Sequence, residues 1–222
     1  VYVAGPANPG KLAVICVFDI FGFKPQTQQG ADILAEELGA QVYMPDFFEG
    51  DEPWTLDKFP PTKPEDQQKF QEWFAGFANP ANHVPRVIKV AETLKSEGVQ
   101  FIVTYGFCWG GKVALSAATQ PGGLIEAVSC IHPAMLSAAD YENLNVPVGL
   151  FISNDEPTEE FEKIQSILAK KPFADKNSFK HFDSFHGFAA ARANLDDADN
   201  KAKYESLYKK LLHFTKKASG QE

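Results

Sequence analysis

The apolar positions of this chain fall into short unbroken runs, separated by longer stretches with helical spacing. Residues 12–18 (LAVICVF) are continuously apolar and β-rich, as in a strand buried on both faces of a parallel sheet. Residues 41–44, 101–105 (FIVTY), 126–131, 146–153 (VPVGLFIS) and 179–182 repeat the pattern, so six strands are predicted. Between the first two, Ile33, Leu34 and Leu38 mark one face of a helix over 27–38 that stops at Gly39. The same spacing predicts helices over 65–78, 84–97 and 112–118. Two more are predicted over 158–170, with Thr158 as a cap, and over 201–217, where Tyr204, Leu207, Tyr208, Leu211 and Leu212 share a face. The stretch 47–64 is rich in proline and has no period, so it reads as a long surface connection, a common place for pocket walls. Strands alternating with helices imply one α/β domain over 1–222 with a mainly parallel sheet, whose site lies in the loops after the strands' C-terminal ends.

Composition narrows the chemistry. Hydrophobic residues are 44% and charged residues 23% of 222, which suits a folded domain with a large core. The net charge of −8 and the lack of a basic run argue against nucleic acid and against an anionic membrane surface as partners. No apolar stretch approaches the roughly 18 residues that span a bilayer, and residues 1–10 lack the order of a signal peptide. Three cysteines, Cys16, Cys108 and Cys130, have no metal-type spacing and fit a reducing, cytoplasmic setting.

The sharpest chemical signal is Gly106-Phe107-Cys108-Trp109-Gly110, which follows a buried strand and opens a helix. It is the G-x-S-x-G nucleophile elbow with Cys in place of Ser. A tight strand-to-helix turn pushes the nucleophile's side chain out of the sheet edge, and the flanking glycines allow backbone to pass close by. At a helix N-terminus, unpaired N–H groups and the helix dipole favour a thiolate. A thiol nucleophile needs a base and the base an orienting carboxylate, in the chain order nucleophile, acid, histidine. His186, in Ser184-Phe185-His186-Gly187-Phe188, follows the sixth predicted strand and is the candidate base. Asp155, in Ser153-Asn154-Asp155-Glu156-Pro157, is the candidate acid, with Glu156 as its rival. His132, at the end of a strand in Ile131-His132-Pro133, reads as pocket lining or structural rather than catalytic. The backbone N–H of Trp109 is one expected oxyanion donor, and the loop after residues 12–18 should supply the second.

Asp19 to Phe23 (DIFGF), Gly106 to Gly111 (GFCWGG) and His186-Gly187-Phe188 together resemble the dienelactone hydrolase family, in its fungal-type branch, and the resemblance covers nearly the whole chain. It implies an α/β-hydrolase fold with a Cys-His-Asp triad that opens small lactones or activated esters without cofactor or metal. Its acid maps onto Asp155, its base onto His186 and its second oxyanion donor onto the N–H of Ile20. Many family members have Glu at the position of Asp19, a carboxylate thought to hold the resting thiol. Asp19 and its neighbour Phe21 are therefore candidate substrate contacts. Bacterial members hold a substrate carboxylate with arginines. Here Arg192 sits six residues after His186, and the first helix after the long connection offers Lys69 instead. Trp54, Trp73, Phe74 and Phe77 suggest an aromatic wall and a more apolar acyl group.

Two other classes compete. Gly106 to Lys112 matches the start of a phosphate-binding G-x-x-x-x-G-K loop, although Val113 stands where Ser or Thr should hold Mg²⁺. A non-catalytic binding protein on the same fold is the third possibility.

Overall fold

A computed structural model describes residues 1–49 and 53–221. Its sheet has seven strands: β1 (Tyr2–Ala4), β2 (Leu12–Val17), β3 (Gln41–Met44), β4 (Phe101–Phe107), β5 (Ala127–Ile131), β6 (Val148–Ile152) and β7 (Ser178–His181). They lie in the order β1-β3-β2-β4-β5-β6-β7. Among the described residues only β1 runs antiparallel, pairing Val3 with Tyr43 of β3. The register Val17↔Gly106 and Phe107↔Ile131 aligns the C-terminal ends of β2, β4 and β5 at one rim. Every residue of β2, β5 and β6 is buried, which explains their unbroken apolar runs.

Among the described residues there are six α-helices: α1 (Pro25–Leu38), α2 (Pro64–Ala75), α3 (Pro80–Ser96), α4 (Trp109–Ala118), α5 (Thr158–Leu168) and α6 (Ala198–Ser219). α3 packs on α4 against one face of the sheet, and α1 packs on α6 against the other. Neighbouring residues of β5 show the two faces: the Cys130 sulfur reaches Gly111 O of α4, whereas Ser129 points to the side that holds Phe214 of α6.

Several boundaries differ from the sequence expectation, for local reasons. β1 is too short to carry a periodic signal. α3 starts at Pro80 rather than residue 84, because Asn79-Pro80 is a helix start and not an interruption. The Asn79 side chain accepts from the Ala81 N–H at 3.1 Å, and proline fits the first helical position. α4 begins at Trp109 and incorporates Gly110 and Gly111. α6 begins three residues early, capped by Asp197, which accepts from the Asn200 N–H at 2.7 Å. Residues 50–52 of the long connection lie outside the described residues.

Candidate active site

The turn between β4 and α4 is built by close backbone contact. A Cβ on Gly106 would lie 2.1 Å from Gly110 O, and one on Gly110 would lie 2.3 Å from both Val17 O and Phe18 O. Cys108 caps α4 with φ 53° and ψ −117°, the left-handed half of conformational space that L-residues avoid. Its conformation is held from both sides. The Cys108 N–H donates to Ile131 O at 3.0 Å, and Ala134 N–H donates to Cys108 O at 3.0 Å. The same geometry disposes of the phosphate-loop expectation. The space beside the turn is filled by backbone, and Lys112 is paired with Asp140 at 2.5 Å.

His186 arrives on the loop after β7. Its ring Nδ1 lies 2.6 Å from Glu156 Oε1, and the other Glu156 oxygen accepts from the Ser153 N–H at 2.5 Å. This corrects the expectation for Asp155, whose Oδ2 accepts instead from the backbone N–H of His186 at 2.6 Å. The two adjacent carboxylates thus divide the work: Glu156 orients the ring, while Asp155 anchors the loop that carries it. The Cys108 sulfur is within hydrogen-bonding reach of the same ring. Burial works against a charged imidazole, but the Cys108 sulfur, and behind it Glu156, raise the His186 pKa to about 10. Sulfur, imidazole and carboxylate therefore form one connected line at the sheet's C-terminal rim.

The remaining expected residues take varied places. Trp109 opens α4, so its backbone N–H has no intrahelical acceptor, and among the described residues the N–H of Ile20 meets none either. Among the described residues, neither N–H has an acceptor. Asp19 is buried, and its two oxygens accept from the N–H groups of Phe21 at 3.0 Å and Ala191 at 3.2 Å. Burial pushes its carboxyl up to about 6, against the pull of those two donors and of His186. Phe21 is likewise buried, its ring edge-on to Phe59 at 5.5 Å. His132 is wholly buried, at 0% exposure, with its ring centroid 5.0 Å from that of His186, which fits the structural half of its reading. Arg192 is exposed and folds over Gly187. It donates to His186 O at 2.7 Å, with its guanidinium carbon 5.5 Å from the Phe185 ring and 5.8 Å from the Phe59 ring. Lys69 is an exposed residue of α2 with none of these connections. Trp54, Phe59, Phe70 and Trp73 make a continuous ring cluster beside the oxyanion loop, tied to it by the Trp54 N–H donating to Ile20 O at 3.0 Å.

Among the described residues, no cluster of side chains is placed to hold a metal ion, and no helix is long and apolar enough to cross a membrane. A mostly parallel sheet with a strained cysteine elbow and a loop histidine at its rim defines an α/β-hydrolase. The sequence profile of the dienelactone hydrolase family matches residues 1–219, and the chain belongs to that family, whose members are hydrolases of ester or lactone bonds. It is 35% identical over 218 residues to an uncharacterized AIM2 family protein of Schizosaccharomyces pombe, covering 96% of this chain and 85% of that one. A carboxymethylenebutenolidase homolog of Xenopus tropicalis is 30% identical, with 97% and 86% covered. The crystal structure of a dienelactone hydrolase from Anabaena variabilis superposes with a TM-score of 0.62 at 12% identity, covering 94% of this chain and 88% of that one, a likeness of fold alone.

Proposed function

We propose that this protein hydrolyses small lactones or activated esters with Cys108 as nucleophile, His186 as base and Glu156 as the carboxylate that orients it. The observation that carries the reading is the His186 ring, held by Glu156 at 2.6 Å and raised in pKa by the Cys108 sulfur, beside two backbone N–H groups without an acceptor among the described residues. His186 holds the proton of Cys108, and the thiolate adds to the substrate carbonyl. The N–H groups of Ile20 and Trp109 take the oxyanion. Collapse breaks the carbon–oxygen bond, the leaving alkoxide or enolate takes the proton from His186, and the acyl group remains as a thioester. His186 then removes a proton from water, which attacks the thioester and expels Cys108 as thiolate.

Thiolate is itself readily expelled from the first intermediate, so a good leaving group is needed. That favours enol lactones and aryl esters over amides. The butenolide in the Xenopus relative's name is an unsaturated lactone of this kind. The ring cluster around Trp54 favours an apolar or aromatic substrate, held without cofactor or metal. The test is hydrolysis of aryl acetates and enol lactones by wild type and Cys108→Ala. We expect loss of at least ~10³ in kcat/KM, and undiminished turnover by the purified variant refutes the assignment.

A further inference from the structure

Among the described residues, three that are not glycine have positive φ: Cys108 at 53°, His132 at 34° and Met135 at 55°. All three belong to one construction, the turn over 131–135 that grips the Cys108 peptide from both sides. His132 sits inside this grip, its own N–H donating to Phe151 O at 2.7 Å. Its ring is wholly enclosed, with centroids of Phe107 and Phe188 each at 5.7 Å and that of His186 at 5.0 Å, tilted by 57°. Beyond a contact with the backbone of His132 itself, neither ring nitrogen has a hydrogen-bond partner among the described residues. An imidazole so placed is costly on two counts, backbone strain and buried unpaired polar atoms, and such costs collect where function needs them.

We propose that His132 is a positioning residue whose neutral ring is the platform for His186, holding that imidazole on the line from Glu156 to Cys108 and stabilising its charged form through the aromatic face it offers. The proposal rests on the Cys108–His186 reading above. The charged groups facing His132 are His186 and Arg192, both cationic, and together with burial they keep its pKa well below the usual histidine range. The groups facing His186 are the Cys108 sulfur, Glu156 and, further off, Asp19, all favouring its charge. Arg192 holds the carbonyl of that residue rather than its ring. A charge on His132 would drive the proton off its neighbour, whereas a neutral ring attracts the cation by its π density.

The test is a pH titration of the imidazole resonances by NMR in wild type, His132→Met, which removes the ring, and His132→Phe, which keeps one. Circular dichroism confirms folding, and loss of a signal in His186→Gln assigns it. The midpoint of His186 should fall by about one pH unit or more in His132→Met, a tenfold loss of proton affinity, with kcat falling and KM little changed. In His132→Phe it should stay within a few tenths of wild type. Unchanged His186 titration in His132→Met overturns the platform, as does a shift in His132→Phe as large as that in His132→Met. In wild type, His132 itself should show no titration between pH 5 and 9, and a midpoint near 6.5 also overturns the proposal, whether or not the variants fold. Alkylation of wild type separates the two levels. If Cys108 reacts no faster than Cys16 and Cys130, whose thiols burial pushes up to about 12, the catalytic reading itself fails.

Discussion

Replacing Glu156 with Gln and, separately, Asp155 with Asn distinguishes the two adjacent carboxylates by what each one touches. Glu156 accepts at 2.6 Å from the ring Nδ1, which fixes the proton on that nitrogen and leaves Nε2 to face the thiol. Gln keeps one carbonyl oxygen, and the Ser153 N–H competes for it. With the amide nitrogen turned to the ring, Nδ1 must become an acceptor, and the proton moves to the nitrogen that should take one from Cys108. The negative charge that supports the imidazolium is lost as well. In acyl-transfer sites a wrong tautomer of this kind costs about 10³–10⁴ in kcat, which is about 4–5 kcal/mol at 1.36 kcal/mol per decade. Asp155 only accepts the backbone N–H of His186, and Asn still supplies an oxygen there. That change weakens one charge-assisted hydrogen bond by about 1 kcal/mol, a loss of about fivefold. The assay is steady-state hydrolysis of an aryl ester at neutral pH, with thermal melts to show that both variants fold. A folded Asp155→Asn enzyme impaired more than Glu156→Gln refutes the division of roles.

Two further outcomes follow from the geometry. Gly110→Ala forces a Cβ to 2.3 Å from two backbone carbonyl oxygens, so it should cost more than ~3 kcal/mol in urea denaturation, and a variant of wild-type stability refutes the close approach. His186 has its pKa raised from 6.5 to about 10, so the stability it contributes is complete below about 6.5 and is lost as pH climbs towards 10. The melting-temperature gap between wild type and His186→Gln should therefore shrink from pH 6 to pH 10, and a gap that widens contradicts the assigned shift.

Much of this architecture was legible because burial writes itself into sequence. β2 and β6 are enclosed on both sides, and their apolar runs could be nothing but sheet interior. The elbow was legible because its sterics demand glycine at Gly106 and Gly110, whatever the rest of the chain does. The acid was not, since Asp155 and Glu156 are neighbours with the same chemistry. Which one meets the ring depends on a backbone direction and one methylene of reach. The burial of Asp19 and Phe21 was also illegible. A residue named for its chemistry looks like a ligand contact until its distance from solvent is known, and that distance is set by contacts between chain segments far apart in sequence.

The carboxylate of Asp19 spans a sequence separation of 172 residues to reach Ala191. Because it also holds Phe21, the segment carrying Ile20 and the segment after His186 are stitched by one carboxylate. Any attempt to retarget this enzyme by grafting one of those segments from a relative will loosen the other. Successful chimeras should have to import both together, with whatever acidic residue joins them.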